Sequence, residues 1–195
     1  MLSIQAGFDP DEAPIVAQLY WQAFGAKLAK VLGPDARALK FLTRVVDPRF
    51  ALVARDHTGR LLGVAGFKTD QGGLVAGGFG DLRAVYGWIG ATWRALLLAP
   101  LERAVQPGVL QMDGICVDAD ARGLGAGTLL LDAIADQARQ RGLTQVQLDV
   151  IDTNPRARAL YERQGFIALR TEHTGPLRHV FGFASSTRMC LEVQP

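Results

Sequence analysis

The chain has 195 residues, 49% hydrophobic and 21% charged, which suits one domain with a sizeable core and excludes disorder as its overall state. Lys+Arg at 21 against Asp+Glu at 19 leaves a net charge of +2, too weak a field to recruit nucleic acid or a membrane surface. Two cysteines, Cys116 and Cys190, cannot build a disulfide framework and suit a reducing compartment, so a cytoplasmic location is expected.

No basic leader followed by an apolar run opens the chain. The most apolar stretch, 85–98, carries Arg94 and is shorter than the roughly 20 residues of a membrane span. In chain order, 3–8 reads as a first strand. Asp9-Pro10-Asp11-Glu12 then offers acidic helix-start chemistry before a helix over 11–24, striped by Ile15, Leu19 and Phe24. Leu39, Leu42, Val45 and Val46 mark a second helix that Pro48 ends. Segments 51–55 and 61–68 flank Asp56-His57-Thr58-Gly59 as a hairpin. A glycine-rich link over 72–80 leads to helical spacing through Leu82, Val85, Tyr86, Ile89, Trp93, Leu96 and Leu97, up to Pro100.

The second half alternates more regularly: strand 109–117, helix 125–141 stopped by Gly142, strand 144–150, helix 155–164, strand 166–171 and a final strand 187–193. Strand, helix and strand in succession imply a right-handed crossover and a parallel pair within a mixed sheet, hence an α/β or α+β class.

Of the 22 glycines, three sit where they can carry chemistry and several more mark the segment from Gly72 to Gly90. Arg122-Gly123-Leu124-Gly125-Ala126-Gly127 joins a strand to a helix, followed by Thr128. Free amides at a helix N-terminus bind phosphate oxygens, glycines let the backbone approach an anion, and Arg122 adds a forked cation. A Walker-type loop would need Gly-Lys-Ser/Thr, which is absent. A dinucleotide fingerprint would need glycine at 128, where Thr stands, although Asp149 at the next strand's end keeps some of that pattern.

The loop resembles the Arg/Gln-x-x-Gly-x-Gly/Ala element of the GNAT superfamily of acetyl-CoA-dependent N-acyltransferases, with Ile115-Cys116-Val117-Asp118 similar to the end of that family's fourth strand. Downstream, Asn154-Pro155-Arg156-Ala157 through Tyr161 to Gly165-Phe166 resembles its Asn-x-x-Ala-x-x-x-Tyr-x-x-x-Gly-Phe motif. The two motifs together cover about 109–172.

The resemblance implies the acyl-CoA N-acyltransferase fold: a mixed, mostly antiparallel twisted sheet of about seven strands with a parallel central pair, flanked by helices, as a single domain over 1–195. It implies acetyl-CoA as cosubstrate and a primary amine of a small molecule or peptide as acceptor. Amides from Gly123 through Leu124, Gly125, Ala126 and Gly127 to Thr128 would hold the pyrophosphate beside Arg122. The pantetheine arm would run between the strands ending near Val117 and Val150, with Ile115, Cys116 and Val117 as cofactor-binding positions and the backbone N–H near Ile115 or Val117 polarising the thioester. Tyr161 is the implied general acid; the alternative is a core aromatic with its hydroxyl tied to backbone. Asn154 is expected to cap the helix begun by Pro155, and in the family also contacts the cofactor.

Alternation along the fourth strand puts Asp113 on one face with Gln111, Ile115 and Val117, as a base acting directly or through water or else as a solvated strand carboxylate. His57 reads as a surface residue, His173 and His179 as surface residues or as groups able to reach the acceptor site, Cys116 as a buried structural thiol, and no Cys/His spacing supports a metal. Residues 72–107 form a helical insertion between the third and fourth strands, rich in aromatics (Phe79, Tyr86, Trp88 and Trp93). That insertion is expected to cover the acceptor cleft, to pack in a homodimer interface, or to bury an amphipathic stripe on the sheet. A non-catalytic acyl-CoA sensor is the competing functional reading.

Overall fold

The first turn is built by reciprocal capping: Asp9 Oδ1 accepts from Asp11 N–H (3.0 Å) while Glu12 Oε2 accepts from Asp9 N–H (2.9 Å). The chain then enters α1 (Ala13–Leu32), and Glu12 is held by Arg55 at 2.6 Å. This is a computed structural model that describes residues 2–101 and 105–194. Helix α1 runs eight residues past the Phe24 end expected from the sequence, because Leu28, Val31 and Leu32 continue the buried stripe. Pro34, which cannot extend a helix, separates it from α2 (Asp35–Val45).

Strands β2 (Ala51–Arg55) and β3 (Leu61–Thr69) make the expected hairpin, with β1 (Ser3–Ala6) pairing on the outer edge of β2. Part of the glycine-rich link is strand: β4 (Gly72–Gly73) folds back on Lys68 and Thr69 of β3. The insertion's helix is α3 (Phe79–Leu98), interrupted at Gly87, whose φ of +71° leaves the helical region. There follow β5 (Val109–Val117), α4 (Ala126–Gln140), β6 (Gln145–Ile151), α5 (Pro155–Arg163), β7 (Ile167–His173), a short α6 (Arg178–Phe181) not foreseen in the sequence, and β8 (Ser185–Glu192).

The sheet order is β1-β2-β3-β5-β6-β8-β7, with β4 on β3. Every pairing is antiparallel except β5 with β6, the expected parallel pair. One face packs on α4 and α5 through Leu110, Met112, Leu130, Ile134, Leu148 and Val150. The other face packs on α1 through Val16, Leu19, Val53, Val64 and Cys116.

Helix α3 buries Leu82, Tyr86 and Ala91 against α1 and α2, so the insertion's apolar stripe meets helices and not the sheet. Tyr86 donates its hydroxyl to the Leu32 carbonyl. The outer side of α3 presents Trp88, Ile89 and Leu96 to solvent. Among the described residues, no helix is long and apolar enough to cross a membrane.

Candidate active site

Two strands that start together and then part create the cleft. Strand β5 pairs with β6 only at Val109, Leu110 and Gln111, opposite Gln145, Val146 and Gln147. Beyond these residues β6 stays with β8 to Ile151, while β5 stays with β3 to Val117. The N–H of Asp118 donates to the Leu62 carbonyl in β3 at 2.8 Å. Backbone polarity alternates along a strand, so the groups of Val117 and Ile115 point the other way, into the gap that β6 has left.

A bulge at Asp113 sets the orientation of the side chains. Gly66 opposes Gly114 while Phe67 opposes Met112, so Asp113 is the unpaired extra residue. The regular alternation expected for this strand therefore breaks. Leu110 and Met112 face α4, and after the bulge Ile115 and Val117 do so too, whereas Cys116 faces α1. Asp113 does not share a face with Ile115 and Val117: its carboxylate turns to the opposite side, where Oδ2 accepts from Val75 N–H at 3.4 Å. Gly73 gives it room, since a Cβ there would stand 2.6 Å from Asp113 Oδ2 and from the Lys68 chain. Burial raises the Asp113 pKa above the ordinary aspartate value; the nearby Lys68 charge and the β4-link amides oppose this without cancelling it.

The resulting cavity of about 400 Å³ passes through the sheet. On the α5 side it is walled by Met112, Ile115, Leu148, Val150, Ala157 and Tyr161, with Asn154 at the rim. On the α1 side its walls include Phe24, Lys27, Lys68, Asp113, Asp149 and His173. Tyr161 is buried and stacks obliquely on Phe166 with centroids 5.9 Å apart. Among the described residues nothing is hydrogen-bonded to its hydroxyl, and burial pushes the phenol well above its ordinary range. Asn154 Oδ1 caps α5, accepting from Ala157 N–H at 3.2 Å.

The glycine loop lies at the mouth. Arg60 ties down its start through Asp118 at 2.9 Å, and a short 3₁₀ turn over Ala119–Ala121 leads to Arg122. Gly123 and Gly125 take φ of +86° and +85°, values that other residues rarely adopt, and no atom lies within 4 Å of where a Cβ would be. The backbone amides of Gly123, Gly125, Ala126, Gly127 and Thr128 have no acceptor among the described residues. Gly127 packs on Leu160, bringing the loop beside the helix that carries Tyr161. An open concavity of unpaired amides in front of a strand gap fits a pyrophosphate followed by an extended arm.

Of the residues singled out from the sequence, the cleft walls contain Asp113, Ile115, Asn154 and Tyr161. Val117 ends its strand just below the loop, and Arg122, Gly123, Leu124, Gly125, Ala126, Gly127 and Thr128 form the loop itself. The Cys116 side chain is not in the cleft: it is buried under α1, its thiol pushed up to about 12 by desolvation. His173 lines the cleft, while His57 is exposed in the β2–β3 turn and His179 is engaged through its carbonyl by Lys30 at 2.7 Å. Sequence reasoning missed Phe24, Lys27 and Lys68. A signal existed for the first two, since Leu28, Val31 and Leu32 prolong the stripe of α1 past them.

Comparison with known proteins agrees with this architecture. The model of the Acetyltransferase (GNAT) family matches residues 14–166. A mycothiol acetyltransferase of Beutenbergia cavernae is 50% identical over 50 residues, 26% of this chain; the match spans only 17% of that relative's length. A GCN5-related N-acetyltransferase from Kribbella flavida superposes with TM-score 0.65 at 19% identity, covering 98% of each chain. The yncA acetyltransferase of Salmonella typhimurium, solved with acetyl-CoA, superposes with TM-score 0.59 at 16% identity, covering 99% of this chain and 94% of that one. At such identities the structural likeness speaks for the fold, and the family match decides the rest: this chain is an acyltransferase belonging to the Acetyltransferase (GNAT) family.

Proposed function

We propose that residues 1–195 act as one N-acetyltransferase domain that moves the acetyl group of acetyl-CoA to a primary amine by direct attack within a ternary complex. The observation that carries this reading is the gap between β5 and β6, which has a phenol on one side and a carboxylate of raised pKa on the other.

Acetyl-CoA supplies an activated thioester. The amides of Gly123 and of Gly125 to Thr128, unpaired among the described residues, and the Arg122 guanidinium are suited to its pyrophosphate, and the backbone edges of Ile115 and Val117 to its arm. A donor N–H aimed at the developing oxyanion lowers the barrier by roughly 3 kcal/mol.

On the α1 side, Asp113 accepts a proton from the entering ammonium, directly or through water. Its raised pKa brings it closer to the working range of a general base than an exposed aspartate. On the α5 side, Tyr161 donates its hydroxyl proton to the departing sulfur. The balance closes as follows: the C–N bond forms, the C–S bond breaks, and the nitrogen loses two protons. One of them replaces the proton that leaves as thiol, and the other goes to solvent.

The test is thiol release from acetyl-CoA across a panel of amines, with Tyr161→Phe as control. Turnover that falls in the variant supports the reading. Tight coenzyme A binding with no turnover on any amine would instead make the chain a sensor.

A further inference from the structure

A second cavity, of about 700 Å³, adjoins the first. Lys27, Lys68, Leu101 and Asp113 are in the walls of both, so these four residues mark the boundary, or neck, where the cavities meet. On its helical side the second cavity has an apolar wall, with Leu28 and Leu32 of α1, Phe41 and Leu42 of α2, and Leu82 and Leu98 of α3, opposite a polar wall of the β4 link with Thr69 and Asp70. The volume falls within the roughly 300–1,000 Å³ of small-molecule sites. Helix α3, the insertion, thus forms one wall of a second, open cavity beside the proposed base.

The neck holds charge that the protein leaves incompletely answered. Lys27 Nζ sits 4.5 Å from the Phe24 ring centroid, and among the described residues it makes no hydrogen bond or ion pair. Burial pushes its pKa down, which is the cost of holding an ammonium there. Asp149, the carboxylate whose field reaches Lys27, is held by Arg188 at 3.3 Å. Lys68 lies beside Asp113 across Gly73. Two cations and one carboxylate therefore stand where the two cavities meet, beside the apolar helical wall, with the exposed Asp70 also in the lining.

We infer that the acceptor is a zwitterionic amine, an α-amino acid with a large apolar side chain: its ammonium meets Asp113, its carboxylate meets Lys27 and Lys68, and its side chain fills the second cavity under α3. This rests on the proposed acetyl transfer. A carboxylate supplies the direct ion pair that Lys27 does not make among the described residues, and the apolar side chain replaces water against the six aliphatic and aromatic residues of the helical wall. A polyanion would overload two lysines beside an aspartate, and a plain alkylamine would bring Lys27 no direct partner.

The experiment compares leucine and phenylalanine with glycine, with their own carboxamides, and with phenethylamine, by thiol release and by calorimetric binding to the enzyme saturated with coenzyme A. Leucine and phenylalanine are expected to exceed both glycine and the carboxamides by at least about 10-fold in kcat/KM, mostly through KM. Lys27→Met should collapse the acid-to-amide ratio toward one, and Lys27→Arg should restore much of it. Ala95→Phe, or Ala99→Phe at the rim should the first fold poorly, fills the second cavity and should shift preference toward glycine or alanine. Turnover of amines without preference for the carboxylate, or with side-chain preference unmoved by both fillings, overturns the inference and leaves acetyl transfer standing. Binding of coenzyme A with no thiol release from any of these amines, phenethylamine included, overturns both.

Discussion

Phe24 packs directly on the backbone of Gly114, so closely that a Cβ at position 114 would stand 2.6 Å from the ring. The contact joins α1 to β5 one residue after the bulge, and both residues wall the cleft. Gly114 also takes a φ of +157°, which side-chain-bearing residues rarely adopt. Gly114→Ala should therefore cost about 1–3 kcal/mol of stability from backbone strain and push Phe24 into the cleft. Thermal melting and kcat should fall together. A variant as stable and active as the parent would show that the contact relaxes freely.

Asp113 gives a pH dependence whose direction is set by burial. Its folded pKa lies above the ordinary aspartate value, so kcat/KM should rise with pH through that raised value as the base ionises. For stability the same shift has the opposite sign: the protonated form is favoured in the fold, so its contribution is present at low pH and lost as pH rises through the folded pKa. Asp113→Asn should thus lower kcat by roughly 10²-fold or more and erase that acid limb. At neutral pH it should not lower the melting temperature, because the amide still accepts from Val75 N–H without a buried charge. An acid limb that persists in the variant would assign the base elsewhere.

The glycine loop and the Asn154-to-Phe166 segment were legible because their constraints are local. Positive φ at Gly123 and Gly125, and a cap by Asn154 on the helix begun by Pro155, are demands that short stretches of sequence must meet by themselves. The α1 side of the cleft was hidden because it is assembled by tertiary packing. Lys27 stands three residues past the helix end expected at Phe24, and Lys68 gains its role only when β4 folds Gly73 against it. The bulge at Asp113 reversed the facing read from strict alternation. The isolated Gly114 inside an otherwise continuous strand was its one sequence trace. The second cavity required α2 and α3 to meet, which no periodicity within either helix specifies.

The loop glycines predict a split between binding and folding. A side chain at Gly125 would enter the open space in front of the amides and would face a backbone φ of +85°. Gly125→Val is expected to weaken coenzyme A binding at least about 10-fold while costing about 1–2 kcal/mol of stability, since the position is exposed and only the backbone is strained. Calorimetric titration with coenzyme A measures the first effect and denaturant unfolding the second. Unchanged affinity in a folded variant would detach this loop from the pyrophosphate.

Tyr161 offers the cleanest separation of chemistry from architecture. Its ring is buried against Phe166, so Phe at this position keeps the packing, and no hydrogen bond among the described residues is lost with the hydroxyl. Tyr161→Phe should therefore change stability by less than about 1 kcal/mol. If the hydroxyl protonates the leaving sulfur, kcat should drop roughly 10²–10⁴-fold with little change in coenzyme A affinity. Burial holds this phenol above its ordinary range, so the parent enzyme should show no alkaline loss from Tyr161 ionisation up to about pH 10. The deficit should also shrink for a donor whose thiol is more acidic than that of coenzyme A, because a better leaving group needs less protonation. A variant with full kcat, or a deficit independent of thiol acidity, would remove Tyr161 from the reaction and leave it as a core aromatic.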